Sequence, residues 1–83
     1  MGTSRRDIER WLKAAQKRKT ATHVIVICDT WDFSDKPILI LKRDDVREAY
    51  DHYHQKNGYR VMEVYNLALP IAGQLDEHRA MHF

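Results

Sequence analysis

Five consecutive apolar residues, Val24-Ile25-Val26-Ile27-Cys28, lie near the middle of the chain, and Pro37-Ile38-Leu39-Ile40-Leu41 soon repeats the pattern. A strand with one wet face alternates apolar and polar residues. A run that is apolar throughout and mostly β-branched belongs to a strand covered on both sides. Residues 23–30 are therefore read as a central strand and residues 37–42 as a second strand of similar character. The DFSDK segment between them, polar and followed by Pro37, is the connection of a hairpin. Two strands apolar all round need helices above and below them.

The rest of the chain supplies those layers. Ser4 followed by Asp7 is an N-cap with an acidic first turn, and Ile8, Trp11, Leu12 and Ala15 share one helical face, which predicts a helix over residues 4–19. Asp45 and Glu48 make a capping-box pattern at the start of a second helix, and Val46, Ala49, Tyr50 and Tyr53 keep the helical spacing. Gly58 just past Asn57 is its expected stop. Residues 59–65 alternate, but Arg60 and Glu63 fall on opposite faces, so this third strand is expected to be the least buried. Pro70 suits the first turn of a last helix running to about His82, with Ile71 and Leu75 inward.

The expected architecture is a single α+β domain over residues 1–83 in the order α-β-β-α-β-α. Pairing the third strand beside the first gives a mainly antiparallel sheet of order 2-1-3. Pairing it beside the second needs a right-handed parallel crossover instead. The unbroken apolar first strand favours the central place, hence 2-1-3. At 83 residues one core buries about 60% of the unfolded surface, which leaves little stability to spare and makes an elaborate catalytic cleft a poor expectation.

Charge is distributed unevenly. Seven basic residues up to Lys19 stand against Asp7 and Glu9, a local balance of +5, so the remainder of this +2 chain carries −3. Within the first helix Arg6, Arg10, Lys13 and Lys17 form a stripe opposite the apolar face. Such a stripe could lie along a phosphate backbone. It is more commonly the ordinary solvated face of an amphipathic helix. No run approaches a membrane span of roughly 18 apolar residues, the basic start has no apolar stretch behind it to make a signal peptide, and one cysteine makes no internal disulfide. Together these readings place the chain in the cytoplasm, away from membranes.

The densest cluster of reactive residue types is ICDTWDFSDKP, residues 27–37. Asp29, Asp32 and Asp35 recur at steps of three, but the loop has neither the spacing, the glycine nor the closing glutamate of a calcium loop. Asp32, Ser34 and Asp35 read better as turn formers that bond nearby amides. Cys28 with His23 or another histidine as base would be a nucleophile. At the end of an apolar run, without a helix N-terminus or cationic neighbour, Cys28 reads better as a core thiol. Asp29 at the end of a buried strand either bonds backbone or serves a site. Trp31 and Phe33 alternate with it on the same face and are read as core or as a partner-binding patch. Asp29, Trp31, Asp32 and Phe33 are therefore the candidate partner-binding residues.

His78 and His82 are one helical turn apart and are the weak candidates for holding a metal, although the HRAMH string lacks the glutamate of a zinc-hydrolase helix. His52 and His54 point apart on a helix. With three glycines and no phosphate-cradle or nucleophile-elbow motif, no cofactor and no catalytic residue is expected.

The succession THVIVICDTWD, then DVRE, RVMEVY and a final EHRAMHF, resembles a group of short uncharacterised bacterial proteins that carry a CDTWD-like phrase. The resemblance implies a cytoplasmic bacterial or mobile-element origin and assigns no activity, cofactor or residue role. The functional expectation is a non-enzymatic module that binds another protein, as a small regulator or inhibitor, with a homodimer through a free strand edge as one form of it. The rival expectations are nucleic-acid binding through the stripe of the first helix and a metal-dependent enzyme.

Overall fold

A three-stranded sheet of order β2-β1-β3, antiparallel throughout, forms the centre of the molecule. The computed structural model describes residues 4–54 and 58–83. Its elements follow the expected order: α1 (Arg5–Gln16), β1 (Ala21–Asp29), β2 (Asp35–Leu41), α2 (Val46–Tyr53), β3 (Tyr59–Asn66) and α3 (Ile71–Leu75). Successive side chains of a strand point to opposite faces. Val24 and Val26 therefore join Ile8, Leu12 and Ala15 of α1 on one side, while Ile25 and Ile27 join Ile40, Val61 and Val64 on the other, under α2. The apolar run of β1 thus supplies both layers of the core at once.

α1 begins as expected, with the Ser4 hydroxyl accepting the Asp7 N–H at 3.2 Å. It stops at Gln16, three residues early, because residues 17–20 turn the chain into β1; Ala21 N–H donates to Arg18 O at 3.0 Å. α2 is capped by the Asp45 carboxylate, which accepts the Arg47 and Glu48 amides at 2.9 and 3.4 Å. α2 ends at Tyr53, with His54 as its C-cap. Gly58, the expected stop, has φ +80° and sits at the entrance to β3. Asn57 lies outside the described residues.

Two expectations about burial are corrected. β3 is not the least buried strand: Val61, Val64 and Tyr65 are all shielded. A register shift between Val26 and Ile27 explains it, since Val26 pairs with Glu63 and Ile27 with Val61. The extra residue of this bulge puts Val61 and Val64 on one face despite their odd spacing. β2, expected to be covered on both sides, is the exposed strand, with Ile40 alone fully buried.

The last helix is also corrected. It ends at Leu75, not near His82. A longer helix would carry a mostly polar segment into water. Instead the chain turns and places Ala80, which is fully buried, in the core beside α1. Val64 N–H then donates to Ala80 O and His82 N–H to Val64 O, both at 2.9 Å, so the tail runs parallel along the outer edge of β3. Tertiary burial overrides the local helical pattern.

Candidate functional site

β1 ends at Asp29, and the chain reverses through Thr30–Ser34. Phe33 N–H donates to Asp29 O at 2.7 Å and Asp29 N–H donates to Ser34 O at 2.9 Å, which closes the loop across a four-residue step. Inside it, Asp29 Oδ1 accepts the Trp31 amide at 2.8 Å, and Asp32 Oδ1 accepts the amide and hydroxyl of Ser34 at 2.9 and 2.7 Å. These are the side-chain turns for which Asp and Ser are favoured in loops. The Ser34 hydroxyl, then its amide, hold the Asp32 carboxyl below the usual carboxylate range. The neighbouring strand fastens the loop from outside: Thr30 N–H and Oγ1–H both donate to Gly58 O, at 2.9 and 2.7 Å.

This scaffold holds two aromatic rings out in water. Trp31 is 88% exposed and Phe33 70%. Phe33 has φ +58°, the one left-handed non-glycine residue among those described. That conformation is strained for a bulky L side chain. The Trp31 indole rests against Gly58, where a Cβ would meet its Nε1 at 3.2 Å. The expectation that Trp31 and Phe33 share a strand face with Asp29 is corrected, because the strand ends at Asp29 and the chain turns. Neither ring is in the core.

Asp29 is partly buried, with one oxygen on the Trp31 amide and the other 3.8 Å from Lys36 Nζ. Cys28 is a buried thiol, donating weakly to Asp29 O at 3.7 Å; burial first, then the neighbouring Asp35, push its pKa up. A raised pKa keeps the sulfur protonated, opposite to what a nucleophile requires. His23 lies five residues away along β1, roughly 16 Å at the strand rise.

The histidine candidates are not brought together. The helix that would have aligned His78 with His82 ends at Leu75, and His82 Nε2 instead pairs with Glu77 at 2.6 Å. Among the described residues no three His, Cys, Asp or Glu side chains gather as metal ligands. The basic stripe of α1 is half compensated: Arg10 pairs with Asp7 at 2.7 Å and Lys13 with Glu9 at 3.7 Å, leaving Arg6 and Lys17 without ion pairs among the described residues. Arg5, next to the stripe, pairs with Asp76 of the turn after α3.

The free strand edge is also less available than expected. Lys42 N–H donates inward to Thr20 O at 2.7 Å, so by alternation Asp35, Pro37, Leu39 and Leu41 turn their backbone groups outward. Pro37 has no N–H, and the Leu41 N–H is taken by Asp44 Oδ2 at 3.1 Å. These are devices that blunt an edge against strand addition.

One cluster escaped the linear pattern. The turn before β1 brings Arg18 and Lys19 beside Lys42 and Arg43 of the turn after β2, around two adjoining open depressions. The signal was distributed over two charged turns separated by a hairpin, and only the pairing of β1 with β2 joins them. No helix among the described residues is long and apolar enough to cross a membrane. Comparison with protein-family models, curated proteins and solved structures gives no match for this chain.

Proposed function

We propose that the chain is a protein-interaction module that engages its partner through Trp31 and Phe33, acting by binding and not by catalysis. The observation that carries the reading is the pair of exposed rings on a fastened loop, one of them on strained backbone. Leaving two large aromatics in water forgoes burial worth about 1.5–3 kcal/mol for a ring such as Phe33. An apolar partner surface recovers that free energy, and a loop already held by Asp29, Asp32 and Gly58 loses little further entropy on docking. Asp32 and Lys36, both exposed, supply a polar rim. Docking through side chains also suits a β2 edge that Pro37 and Asp44 obstruct. A binder of this size fits the role of a small regulator or inhibitor, and its single buried thiol fits a reducing, cytoplasmic setting.

The test is capture from the source cell with wild type, Trp31→Ser and an Arg6→Ala control, quantified by mass spectrometry, with light scattering to detect a second copy as partner. A hot-spot tryptophan is worth at least about 2 kcal/mol, a loss of roughly thirty-fold in affinity. The expected result is a partner held by wild type and control and lost by Trp31→Ser. Identical captured sets for all three proteins would overturn the reading.

A further inference from the structure

We propose that the opposite end of the sheet binds the phosphate backbone of a nucleic acid through Arg18, Lys19, Lys42 and Arg43. Lys42 N–H donates to Thr20 O at 2.7 Å, and Ala21 pairs with Leu41, so the two turns that carry these cations are stapled together. Arg18 and Lys42 line both depressions; Lys19 completes one and Arg43 the other. All four side chains are exposed.

Their pairing state sets them apart from most cations of α1 and the aromatic end. Arg5, Arg10, Lys13 and Lys36 each have a carboxylate within ion-pair distance, whereas none of these four does among the described residues. The acids of the same turn face backbone amides: Asp44 accepts from Leu41 N–H and Asp45 from Arg47 and Glu48. With Lys17 beside them these four cations outnumber the Asp44 and Asp45 carboxylates of the same turns, and the net positive charge at this end raises the local potential and draws a polyanion.

The lining points to phosphate and not to bases. Gln16, Thr20, Thr22 and Asn66 offer small polar groups; both strongly exposed rings, Trp31 and Phe33, are at the far end of β1, and the one aromatic ring in this lining, His23, is partly buried, so no open ring surface is presented for a base to stack on. Contact is therefore expected to be independent of sequence. An anionic membrane would present similar charge, but lasting attachment there needs inserted apolar area, and among the described residues Leu69, at 42% exposure, is the one exposed large apolar side chain at this end. The site is separate from Trp31 and Phe33 and does not rest on the protein-binding reading.

Fluorescence anisotropy with a labelled mixed-sequence DNA duplex decides the matter. Four phosphate contacts predict a log–log salt slope of about −3.6, which is roughly a hundred-fold loss of affinity between about 50 and 200 mM salt. The double variant Arg18→Glu, Lys42→Glu should weaken binding at least ten-fold and reduce the slope by about 2, since each lost phosphate contact removes about 1. Arg10→Glu with Lys13→Glu should change neither. Circular dichroism and urea midpoints confirm that all variants fold, as these side chains are exposed. No binding at low salt, equal loss in the α1 variant, or binding to phosphatidylserine vesicles without binding to duplex would each overturn the proposal.

Discussion

Replacing Phe33 with glycine and, separately, with alanine isolates the strain stored at the aromatic turn. Both substitutions remove the same ring, so the small part of its surface that is covered cancels between them. What remains is backbone. At φ +58° an L residue such as alanine carries a penalty of about 1–2 kcal/mol that glycine does not. Glycine gives back about 0.4–1 kcal/mol because its unfolded chain is freer. The glycine variant should therefore be the more stable of the two by roughly 0.5–1 kcal/mol, whereas at an ordinary negative φ alanine would lead by about 0.4–1 kcal/mol. Urea unfolding followed by circular dichroism reads the difference. With a slope of about 1 kcal/mol/M for a domain of this size, the midpoints should differ by about 0.5–1 M, glycine higher. Both variants should lose the partner, so the more stable one would be no better a binder, as expected where strain serves a site. An alanine variant equal to or above the glycine variant would refute the argument that this turn stores strain.

Gly58→Ala should destabilise by roughly 0.5–1 kcal/mol, the penalty at φ +80° less the entropy that alanine saves in the unfolded chain, and should disturb the indole 3.2 Å from the new Cβ; at about 4–8 °C per kcal/mol the melting temperature reports it, and no change would mean that the turn accommodates a side chain freely. Gln74→Leu should cost about 2–5 kcal/mol in urea unfolding, because the buried Gln74 amide accepts from Asn66 N–H at 2.8 Å and donates to Asn66 O at 2.9 Å, and a leucine leaves both groups unpaired; a neutral result would refute the bridge. Burial lowers the His23 pKa below 6.5, against a smaller raising effect of the Phe83 backbone. The unfolded chain then binds more protons in that window, so stability is full above pH 6.5 and falls as the pH drops through the folded value. His23→Gln should flatten this limb of a stability profile, and an unchanged slope between wild type and variant would count against it. Trp31→Ser should leave duplex affinity unaltered, and Arg18→Glu should leave partner capture unaltered, since sites this far apart contribute independently; cross-effects in either direction would show that the two ends share one ligand.

The strand order was legible because Val24 to Cys28 carry their information in consecutive residues. An apolar run without alternation has one stable place, the middle of a covered sheet, and the two helical faces in Ile8-Trp11-Leu12-Ala15 and Val46-Ala49-Tyr50-Tyr53 supply the covers. The length of the last helix was not legible, because it is settled by Ala80 entering a core formed by residues far away in sequence, and by Val64 offering a free edge. The burial of β3 was hidden by a single extra residue in its register with β1, which reverses what alternation implies for Val61 and Val64. At the candidate site the turn chemistry of Asp32 and Ser34 was legible, being local. The outward aim of Trp31 and Phe33 was not, since it depends on where β1 stops. The stripe of α1 was legible as a pattern, yet two of its four charges, Arg10 and Lys13, are paired with Asp7 and Glu9 on the same helix. The four unpaired cations that adjoin one another at the end of the sheet come from two turns that only the pairing of β1 with β2 brings together.

A domain this small has few places where chemistry can be left unsatisfied without loss of the fold. Both sheet faces are roofed by helices, the outer edge of β3 is taken by Ala80 to His82, and the outer edge of β2 is obstructed by Pro37 and by the Asp44 carboxylate on Leu41. The outer face of α1 pairs much of its own charge. Two of the places that stay open are the ends of β1, roughly 27 Å apart at the strand rise. One end exposes apolar rings, which seek an apolar partner; the other exposes unpaired cations, which seek an anion. Because both sets of side chains lie outside the core, their truncation to alanine, which leaves the backbone of Phe33 as it is, changes fold stability by about 0.5 kcal/mol or less. Binding lost at either end is then a property of that end and not of a weakened domain.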